Sequence, residues 1–306
     1  MHTSAHPRPL AGIEGRIPPE MAEKAEAEGI AKAGQDTITL LSLGVLGGGF
    51  IGFGAIFATV ALTGAEGALP FGIARVVAGL VFALGLSLVL IGGAQIFTGD
   101  VLMVMAWASG RLTALRVLRV WSLVWIGNLA GALGIALLAF VAGHHLFGGG
   151  QVGLTALRTA EAKAALPFDR AVVLGILCNT LVCLAVWLSL SSRLPVHRMI
   201  LTILPIAAFV AAGFEHAVAN MYFIGFGLMV NDLASNGFWQ LVHATPKDFP
   251  NLTVVGFAHN LIAVTIGNII GGAVLVAGAY WLLYRRPPNE AEALRPQAAQ
   301  DASRSA

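Results

Sequence analysis

The stretch that decides the fold is Gly213-Phe214-Glu215-His216-Ala217-Val218-Ala219-Asn220, which interrupts a hydrophobic segment running from Met199 to Val230. That segment has about 32 residues, whereas about 20 suffice for a helix to cross a bilayer. A second overlong segment, from Phe71 to Ser109, contains Gly92-Gly93-Ala94-Gln95-Ile96-Phe97-Thr98-Gly99-Asp100. Unwound backbone at membrane depth is tolerated only beside protein or a water-filled cavity. The two interruptions therefore predict a passage through the membrane.

The composition of the whole chain places it in a bilayer. It is 57% hydrophobic and 11% charged, with a mean hydropathy of +0.80, which excludes an ordinary soluble domain. The runs long enough to span are Leu40 to Thr63, Phe71 to Ser109, Trp121 to Val141, Ala171 to Ser191, Met199 to Val230 and Val254 to Tyr284. We therefore predict an all-α membrane protein with six transmembrane helices.

Basic residues cluster in alternate loops. Those that follow the second, fourth and sixth runs are Arg111, Arg116, Arg119, Arg193, Arg198, Arg285 and Arg286. The opposite side carries few charges, among them Arg75, Arg158, Lys163 and Arg170. Because positive residues accumulate on the cytoplasmic side of membrane proteins, we expect a multi-pass protein of the cell (inner) membrane with both termini cytoplasmic.

The two ends of the chain differ from the spans. Residues 1–39 contain scattered charges and no apolar core, so we expect a cytoplasmic segment and no signal peptide. Within it, Pro18 to Ala33 is predicted to form a short amphipathic helix, whose simplest role is to cap the surface. The six spans form a channel domain over 40–284. Residues 285–306 are rich in Pro, Ala and charge, which predicts disorder.

An internal repeat is indicated by Ile126-Gly127-Asn128-Leu129-Ala130-Gly131 and Ile266-Gly267-Asn268-Ile269-Ile270-Gly271, which share four of six residues. It predicts two halves of three spans each, 40–141 and 171–284. Because three is odd, the halves must have opposite orientations, as in the inverted repeats of many channels and transporters. The alternative is ordinary close packing, since GxxxG pairs are common in membrane helices. The overlong middle span of each half favours the repeat.

Polar residues lie near the middle of the fifth run. Glu215, His216 and Asn220 are at a depth where ionisable side chains are costly and usually face a pathway. His216 alone is also compatible with a haem ligand or an interhelical hydrogen-bond donor. The other histidines lie near span ends or in loops, which disfavours a bis-histidine haem. Helical neighbours point about 100° apart, so we expect Glu215 to brace the break from a different surface.

Two further polar residues belong to other spans. Asp100 stands where the second half of the second span restarts, and we expect it to be a helix N-cap. Asn179 lies in the middle of the fourth run. Its position is compatible with a hydrogen bond to His216 or to another helix.

Several motifs resemble those of a known family, the formate/nitrite transporters. The resembling stretches are Phe97-Thr98-Gly99, Phe214-Glu215-His216-x-x-Ala219-Asn220-Met221-Tyr222, Val264-Thr265-Ile266-Gly267-Asn268-Ile269-Ile270-Gly271-Gly272 and Cys178-Asn179-x-Leu181-Val182-Cys183-Leu184-Ala185-Val186-Trp187. The likeness runs from about Pro18 to Tyr284 and is greatest to the formate channel branch. It implies an aquaporin-like protomer, with three plus three helices of which the second and fifth are broken. It also implies a homopentamer with one pore per protomer and passage of small monovalent anions such as formate. We expect no cofactor.

The resemblance also implies a central polar site. His216 is similar to the family's central pore histidine, with Thr98 and Asn179 as its hydrogen-bonding neighbours. Asn220 is assigned to the same site. Gly99 is expected to shape its helix break, as Glu215 is expected to do in the other.

Residues away from the centre also match positions of the family. The apolar positions that narrow the pore correspond to Phe82, Leu86, Ile96, Val182 and Phe209. Lys163 matches a basic residue at the outer mouth, and Lys32 one in the N-terminal segment associated with gating. Gly225 and Ala263 stand where the family usually has proline, which affects local helix geometry.

The chemistry of a weak acid suggests how such a pore works. A bare carboxylate in an apolar constriction costs several kcal/mol or more, whereas protonating an acid of pKa about 4 at pH about 7 costs about 4 kcal/mol. We therefore hypothesise that His216, with an ordinary pKa of about 6.5, attracts or protonates the anion between apolar collars. Anion and proton then move together across the bilayer.

The sequence is also compatible with other functions. The same architecture passing chiefly nitrite is the nearest. A neutral-solute facilitator is a second class, although the chain has no Asn-Pro-Ala pair. A haem-binding membrane anchor is a third. An enzyme is not expected, because no nucleotide-binding loop, metal cluster or nucleophile with a base is found. Nucleic-acid binding is not expected either, because the basic residues follow topology.

Overall fold

The computed structural model of the chain describes residues 15–287. The predicted disordered tail therefore lies almost wholly outside the described residues, as do the first 14 positions. In the described part, the helices are α1 (Pro18–Ala33), α2 (Thr37–Leu62), α3 (Phe71–Gly92), α4 (Phe97–Ala108), α5 (Ala114–Val141), α6 (Gln151–Ala164), α7 (Phe168–Leu190), α8 (Pro195–Ala212), α9 (Ala217–Leu233), α10 (Asn236–Val242) and α11 (Val254–Tyr284).

Six of the helices within residues 15–287 are long and apolar enough to cross a membrane: α2, α3, α5, α7, α8 and α11. The predicted fold class is confirmed. Several spans begin before their apolar run because a polar side chain caps them. Asp36 Oδ1 accepts from the backbone N–H groups of Ile38 and Thr39, and Thr113 Oγ1 accepts from that of Arg116. The first and third spans therefore start at Thr37 and Ala114.

The two halves of the chain pack in the same way. In the first half α2 packs on α3 and α5, and in the second α7 packs on α8 and α11. The halves meet where α3 packs along α8. The second span of each half thus lies at the centre of the bundle, and the functional site is found there.

Both predicted interruptions are present, and each begins at a glycine. Gly93 follows α3 with φ 78°, and Gly213 follows α8 with φ 74°. Only glycine adopts this left-handed conformation without a steric cost, and it commonly ends a helix. Residues 94–96 and 214–216 leave the helical path before α4 and α9 begin. The second and fifth spans are therefore broken helices.

Asn128 on α5 and Asn268 on α11 brace the two breaks. Asn128 Nδ2 donates to the carbonyls of Gly44 (2.7 Å) and Gln95 (3.0 Å), and Asn268 Nδ2 to those of Gly175 (2.8 Å) and Glu215 (3.0 Å). Each Oδ1 accepts, at 2.9 Å, from the first backbone N–H of a half-helix, that of Phe97 in α4 and that of Ala217 in α9. The repeated Ile-Gly-Asn motif thus marks equivalent positions of an internal repeat.

The N-terminal helix α1 covers one end of the bundle, here called the α1 end. Its buried residues are Met21, Ala22, Ala25, Glu26 and Gly29. It packs against α4 and the end of α11. Glu26, only 1% exposed, accepts from Arg285 Nη2 at 3.0 Å and from the Ser109 hydroxyl. These bonds tie α1 to both neighbours.

Helix α6, at the opposite end, was not expected from the sequence. Its buried side is small and apolar and includes Val152, Leu157 and Ala160, and it packs on α9. Because it is short and half polar, it has neither the length nor the hydrophobicity of a span. It carries Arg158 and Lys163 over the second break, so we call this side the α6 end.

Candidate transport site

The two broken helices meet at one contact between polar side chains. Thr98, in the first turn of α4, places its Oγ1 2.9 Å from Nε2 of His216, which immediately precedes α9. Thr98 is fully buried, and His216 is 2% exposed. Because each residue comes from a different half of the repeat, this contact exists only when both halves are packed.

The second ring nitrogen of His216 defines its tautomer. The backbone N–H of Ala219 donates to Nδ1 at 3.0 Å, so His216 is the N-cap of α9. A nitrogen that accepts a hydrogen bond carries no proton, and a neutral imidazole has only one N–H. The proton is therefore on Nε2, which donates to Thr98 Oγ1. A fully protonated ring would lose the bond from Ala219.

Asn179 is hydrogen-bonded to other helices, which is one of the two possibilities that its position left open, and not to His216, as the resemblance implied. Its Nδ2 donates to the carbonyl of Thr98 at 3.2 Å and to that of Asn268 at 2.6 Å. The reason is geometric. Asn179 lies on α7 between the backbones of α4 and α11, and its side-chain amide donates to a carbonyl of each. Asn179 therefore positions Thr98 through its backbone.

A cavity of about 380 Å³ leads from the α6 end to His216, and we call it the vestibule. Its polar lining includes Arg75, Arg158, Lys163, Glu215, His216 and Asn220, and its apolar lining includes Phe82, Phe209 and Phe223. A positive, water-accessible chamber of this kind favours a small anion.

Glu215 links the second break to α6. Its Oε1 lies 2.8 Å from Lys163 Nζ, and its Oε2 accepts from Asn220 Nδ2 at 2.6 Å. Asn220 Nδ2 also donates to Asn260 Oδ1, and Asn260 Nδ2 to the carbonyl of Lys163, both at 2.8 Å. This closed network joins the second break to α6 and α11, and the bracing role of Glu215 stays a prediction.

Glu215 and His216 do not serve different surfaces, because both line the vestibule. The expectation assumed helical geometry at both residues. His216 has φ −113° and ψ 117°, which is extended, and α9 begins only at Ala217. The 100° rotation between helical neighbours therefore does not apply.

The five predicted constriction residues are all buried. The rings of Phe82 and Phe209 meet edge to face with centroids 5.7 Å apart, and the Phe209 ring stacks on His216 at 5.7 Å. Both phenylalanines line the vestibule, so they lie on the α6 side of His216. Leu86, Ile96 and Val182 are not in its wall. Their role in narrowing a pore stays a prediction.

Asp100 is not a helix N-cap. It is the fourth residue of α4, whose N-cap position is Ile96, and its Oδ1 lies 2.6 Å from Lys32 Nζ on α1. The carboxylate is 1% exposed, and a buried charge requires a compensating partner, which Lys32 supplies here. Burial lowers the pKa of Lys32, but the charge and hydrogen bond of Asp100 outweigh this, and the pKa is raised. A cavity of only about 20 Å³ is left there, lined by Lys32 and Gly99 among others.

Arg75 is a vestibule residue to which the sequence assigned no role. Its Nη2 donates to the carbonyl of Val210 at 2.5 Å and its Nε to that of Ala211 at 3.4 Å. It thus crosses from the first turns of α3 to the end of α8. A usable signal existed, since an isolated ionisable residue inside an apolar span marks a functional position by default.

The side chains around the site are poorly suited to bind a metal ion or a haem. Among residues 15–287 there is no group of three or more His, Cys, Asp and Glu residues placed to hold a metal ion. Both ring nitrogens of His216 are already engaged, by Ala219 and Thr98. Axial ligation of an iron by His216 would require one of these bonds to break.

Six apolar spans, two broken helices and a buried polar contact at the end of a cation-lined chamber define a polytopic membrane channel or transporter. The family model described as formate/nitrite transporter matches residues 19–282. The chain belongs to this family, and the resemblance seen in its motifs is confirmed.

Individual relatives agree with this result. The chain is 45% identical over 271 residues to the formate channel FocA of Escherichia coli (strain K12), covering 88% of this chain and 95% of the relative. It is 38% identical over 260 residues to the formate channel FocA of Haemophilus influenzae, covering 85% and 91%. A solved pentameric formate channel with formate bound superposes with a TM-score of 0.77 at 38% identity, covering 82% of this chain and 98% of that one.

Proposed function

We propose that this protein is a formate channel that conducts small monovalent weak-acid anions as a homopentamer, with one pore in each protomer. The observation that carries the proposal is the contact between Thr98 and His216 at the bottom of the vestibule. The formate channels among its relatives support the same substrate. The α1 end faces the cytoplasm of the inner membrane, so both termini are cytoplasmic, as the distribution of basic residues indicates.

The first step is collection of the anion in the vestibule. Arg75, Arg158 and Lys163 line this chamber together with one carboxylate, that of Glu215. Low-dielectric walls focus the field of such charges and raise the local concentration of anions. Phe82 and Phe209 then confront the anion with an apolar surface next to His216.

The second step is passage of the apolar collar, the name used here for the rings of Phe82 and Phe209 next to His216. The carboxylate sheds water there, and the neutral acid, which costs about 4 kcal/mol to form at pH about 7, becomes competitive. His216 Nε2–H and the Thr98 hydroxyl are the hydrogen-bonding groups at this point. His216 acts as a neutral donor that substitutes for water, because charging it would sacrifice the bond that caps α9. The accompanying proton comes from solvent, and the movement is electroneutral.

The substrate is tested by reconstituting the full chain into vesicles that contain a pH-sensitive dye. An inward formate gradient should acidify the lumen faster than in protein-free vesicles, and gluconate, a larger monovalent anion, should give no such signal. Nitrite added at equal concentration on both sides competes with formate, so the decrease in the acidification rate measures the preference for one anion over the other. If acidification does not exceed that of protein-free vesicles, the formate assignment is wrong.

The assembly and orientation are tested separately. The protein in mild detergent should have a mass of about five times 31.8 kDa after correction for detergent. The two native cysteines, Cys178 and Cys183, are buried. The exposed thiol added by Glu20→Cys on α1 should therefore react with a membrane-impermeant reagent only in inside-out vesicles. Labelling of intact cells would place α1 on the outer side and overturn the orientation.

A further inference from the structure

The three cations of the vestibule differ in how their charges are balanced. Lys163 Nζ lies 2.8 Å from Glu215, a carboxylate that is itself 5% exposed. Arg158 Nη1 lies 3.3 Å from Glu66, although both side chains are largely exposed. These two cations therefore have anionic partners, one of them inside the chamber.

Arg75 differs from both in that its direct contacts are to uncharged groups. Among the ion pairs within residues 15–287, none includes Arg75. Its guanidinium donates only to uncharged groups, the carbonyls of Val210 and Ala211. These bonds hold the side chain in place without cancelling its charge. Arg75 therefore contributes a fixed positive charge to the chamber wall that is not held in an ion pair, although the carboxylate of Glu215 on the same wall acts on it at longer range.

The position of Arg75 also couples it to the second break. The carbonyls that it binds are among the last of α8, next to Gly213, where the chain turns toward Glu215 and His216. A cation at the carboxyl end of a helix satisfies unpaired carbonyls and complements the helix dipole. One side chain thus caps α8 and faces the substrate chamber.

We propose that Arg75 is the residue that recruits the monovalent anion into the vestibule, and that its bonds to α8 hold this charge at the approach to His216. Lys163 serves chiefly to balance Glu215. This inference rests on the proposed function, since it concerns the same anion and the same chamber. Arg75 acts before the apolar collar, so it governs capture of the anion and leaves the slowest step of passage unchanged.

Two substitutions separate the effect of the positive charge of Arg75 from the effect of its hydrogen bonds to the end of α8. Arg75→Gln keeps an amide donor for a carbonyl of α8 but removes the charge. Arg75→Lys keeps the charge but loses the two-point geometry of the guanidinium. Arg170→Gln is the matched control, because Arg170 is an exposed cation at the start of α7 that is not in the vestibule wall.

The measurement is the initial rate of formate uptake into vesicles at about 0.01 M and about 1 M ionic strength, where the screening lengths are about 30 Å and 3 Å. At low salt, Arg75→Gln should raise the apparent KM about five- to tenfold and leave the maximal rate within twofold. At high salt its KM should come within about twofold of the parent value. Arg75→Lys should stay within about twofold of the parent, and Arg170→Gln should match it.

Other results would overturn the inference. If Arg75→Gln raises the apparent KM equally at both salt concentrations, or lowers only the maximal rate, Arg75 acts only as a structural cap of α8 and does not recruit the anion. An equal loss in Arg170→Gln would show a general surface-charge effect. The parent protein reports on the proposed function independently. If it conducts nitrite but not formate, the series is run with nitrite and only the formate assignment fails. If it conducts neither, both fail.

Discussion

Asn128 and Asn268 occupy equivalent positions in opposite halves of the bundle. Each accepts from the first backbone N–H of one half-helix and donates to two carbonyls, one in the break before that half-helix and one on the first helix of the same half. Backbone groups freed by a broken helix are costly in a membrane unless protein satisfies them. These two amides do so at depth, which is why the same asparagine recurs in both copies of the Ile-Gly-Asn motif.

Replacing Asn268 by alanine should destabilise the protein and reduce transport. Three buried hydrogen bonds are lost, and the N–H of Ala217, next to His216, is left unsatisfied, at a cost of about 1–3 kcal/mol for each such group. Thermal unfolding in detergent should shift downward by several degrees, with formate uptake reduced. Asn251→Ala provides the control, because its bonds to Glu161 are exposed. Equal melting temperatures for Asn268→Ala and Asn251→Ala would contradict this account.

Thr98→Val should remove transport without removing the fold. The side chains have nearly the same shape, but valine offers His216 Nε2 no acceptor. We expect formate uptake to fall at least about tenfold, since a lost hydrogen bond worth about 1.4 kcal/mol corresponds to that factor. Thr98→Ser retains the hydroxyl and should keep most of the activity. Normal uptake by Thr98→Val would remove this contact from the mechanism.

The neutral-donor role of His216 makes different predictions for two substitutions. His216→Phe loses both the cap of α9 and the Nε2 donor, and its formate-driven acidification should fall at least about tenfold. His216→Asn keeps a capping side chain and an amide donor but does not titrate, and it should retain more activity than His216→Phe. If His216→Asn is as inactive as His216→Phe while its assembly is intact, a proton relay through the ring becomes the better mechanism. Unaltered acidification in His216→Phe would exclude both roles.

The contact between Lys32 and Asp100 should anchor α1. Lys32→Met leaves the nearly fully buried Asp100 carboxylate without a compensating charge, which costs about 3–5 kcal/mol in comparable buried pairs. We expect α1 to become more sensitive to protease in this variant. Adding Asp100→Asn should restore protection, because the uncompensated charge is gone. Protection that is lost equally in the single and double variants would argue for a packing role of Lys32 alone.

The same pair has a defined dependence on alkaline pH. Because the pKa of Lys32 is raised above its ordinary value of 10.5, its charged form is favoured in the folded protein. Its contribution to stability is complete below the ordinary pKa and is lost as the pH rises through the raised value. Protease protection of α1 should therefore be unchanged between pH 7 and about pH 9.5. A loss within that interval would mean that another group controls the contact.

Local sequence rules succeeded where one segment decides the outcome and failed where two segments must meet. The breaks at Gly93 and Gly213 were predictable from excess length and glycine. The orientation of Glu215 was not, because it depends on the extended conformation of the residues before α9. The role of Asp100 was misassigned because its partner, Lys32, is 68 positions away in the chain. Helix α6 was missed because it is neither long nor uniformly apolar.

The sequence by itself determined the number of spans, the presence and location of both breaks, and the repeat, because hydrophobicity and backbone strain are summed over neighbouring residues. It also identified Thr98 and His216 as candidates. Only the tertiary structure decided that these two side chains touch, 118 positions apart, and that Asn179 binds a carbonyl of Thr98 and not the imidazole. The same holds for Arg75, whose bonds to the carbonyls at the end of α8 exist only once α3 lies against α8. Hydrogen bonds and ion pairs act over a few ångströms, so their partners are decided by packing.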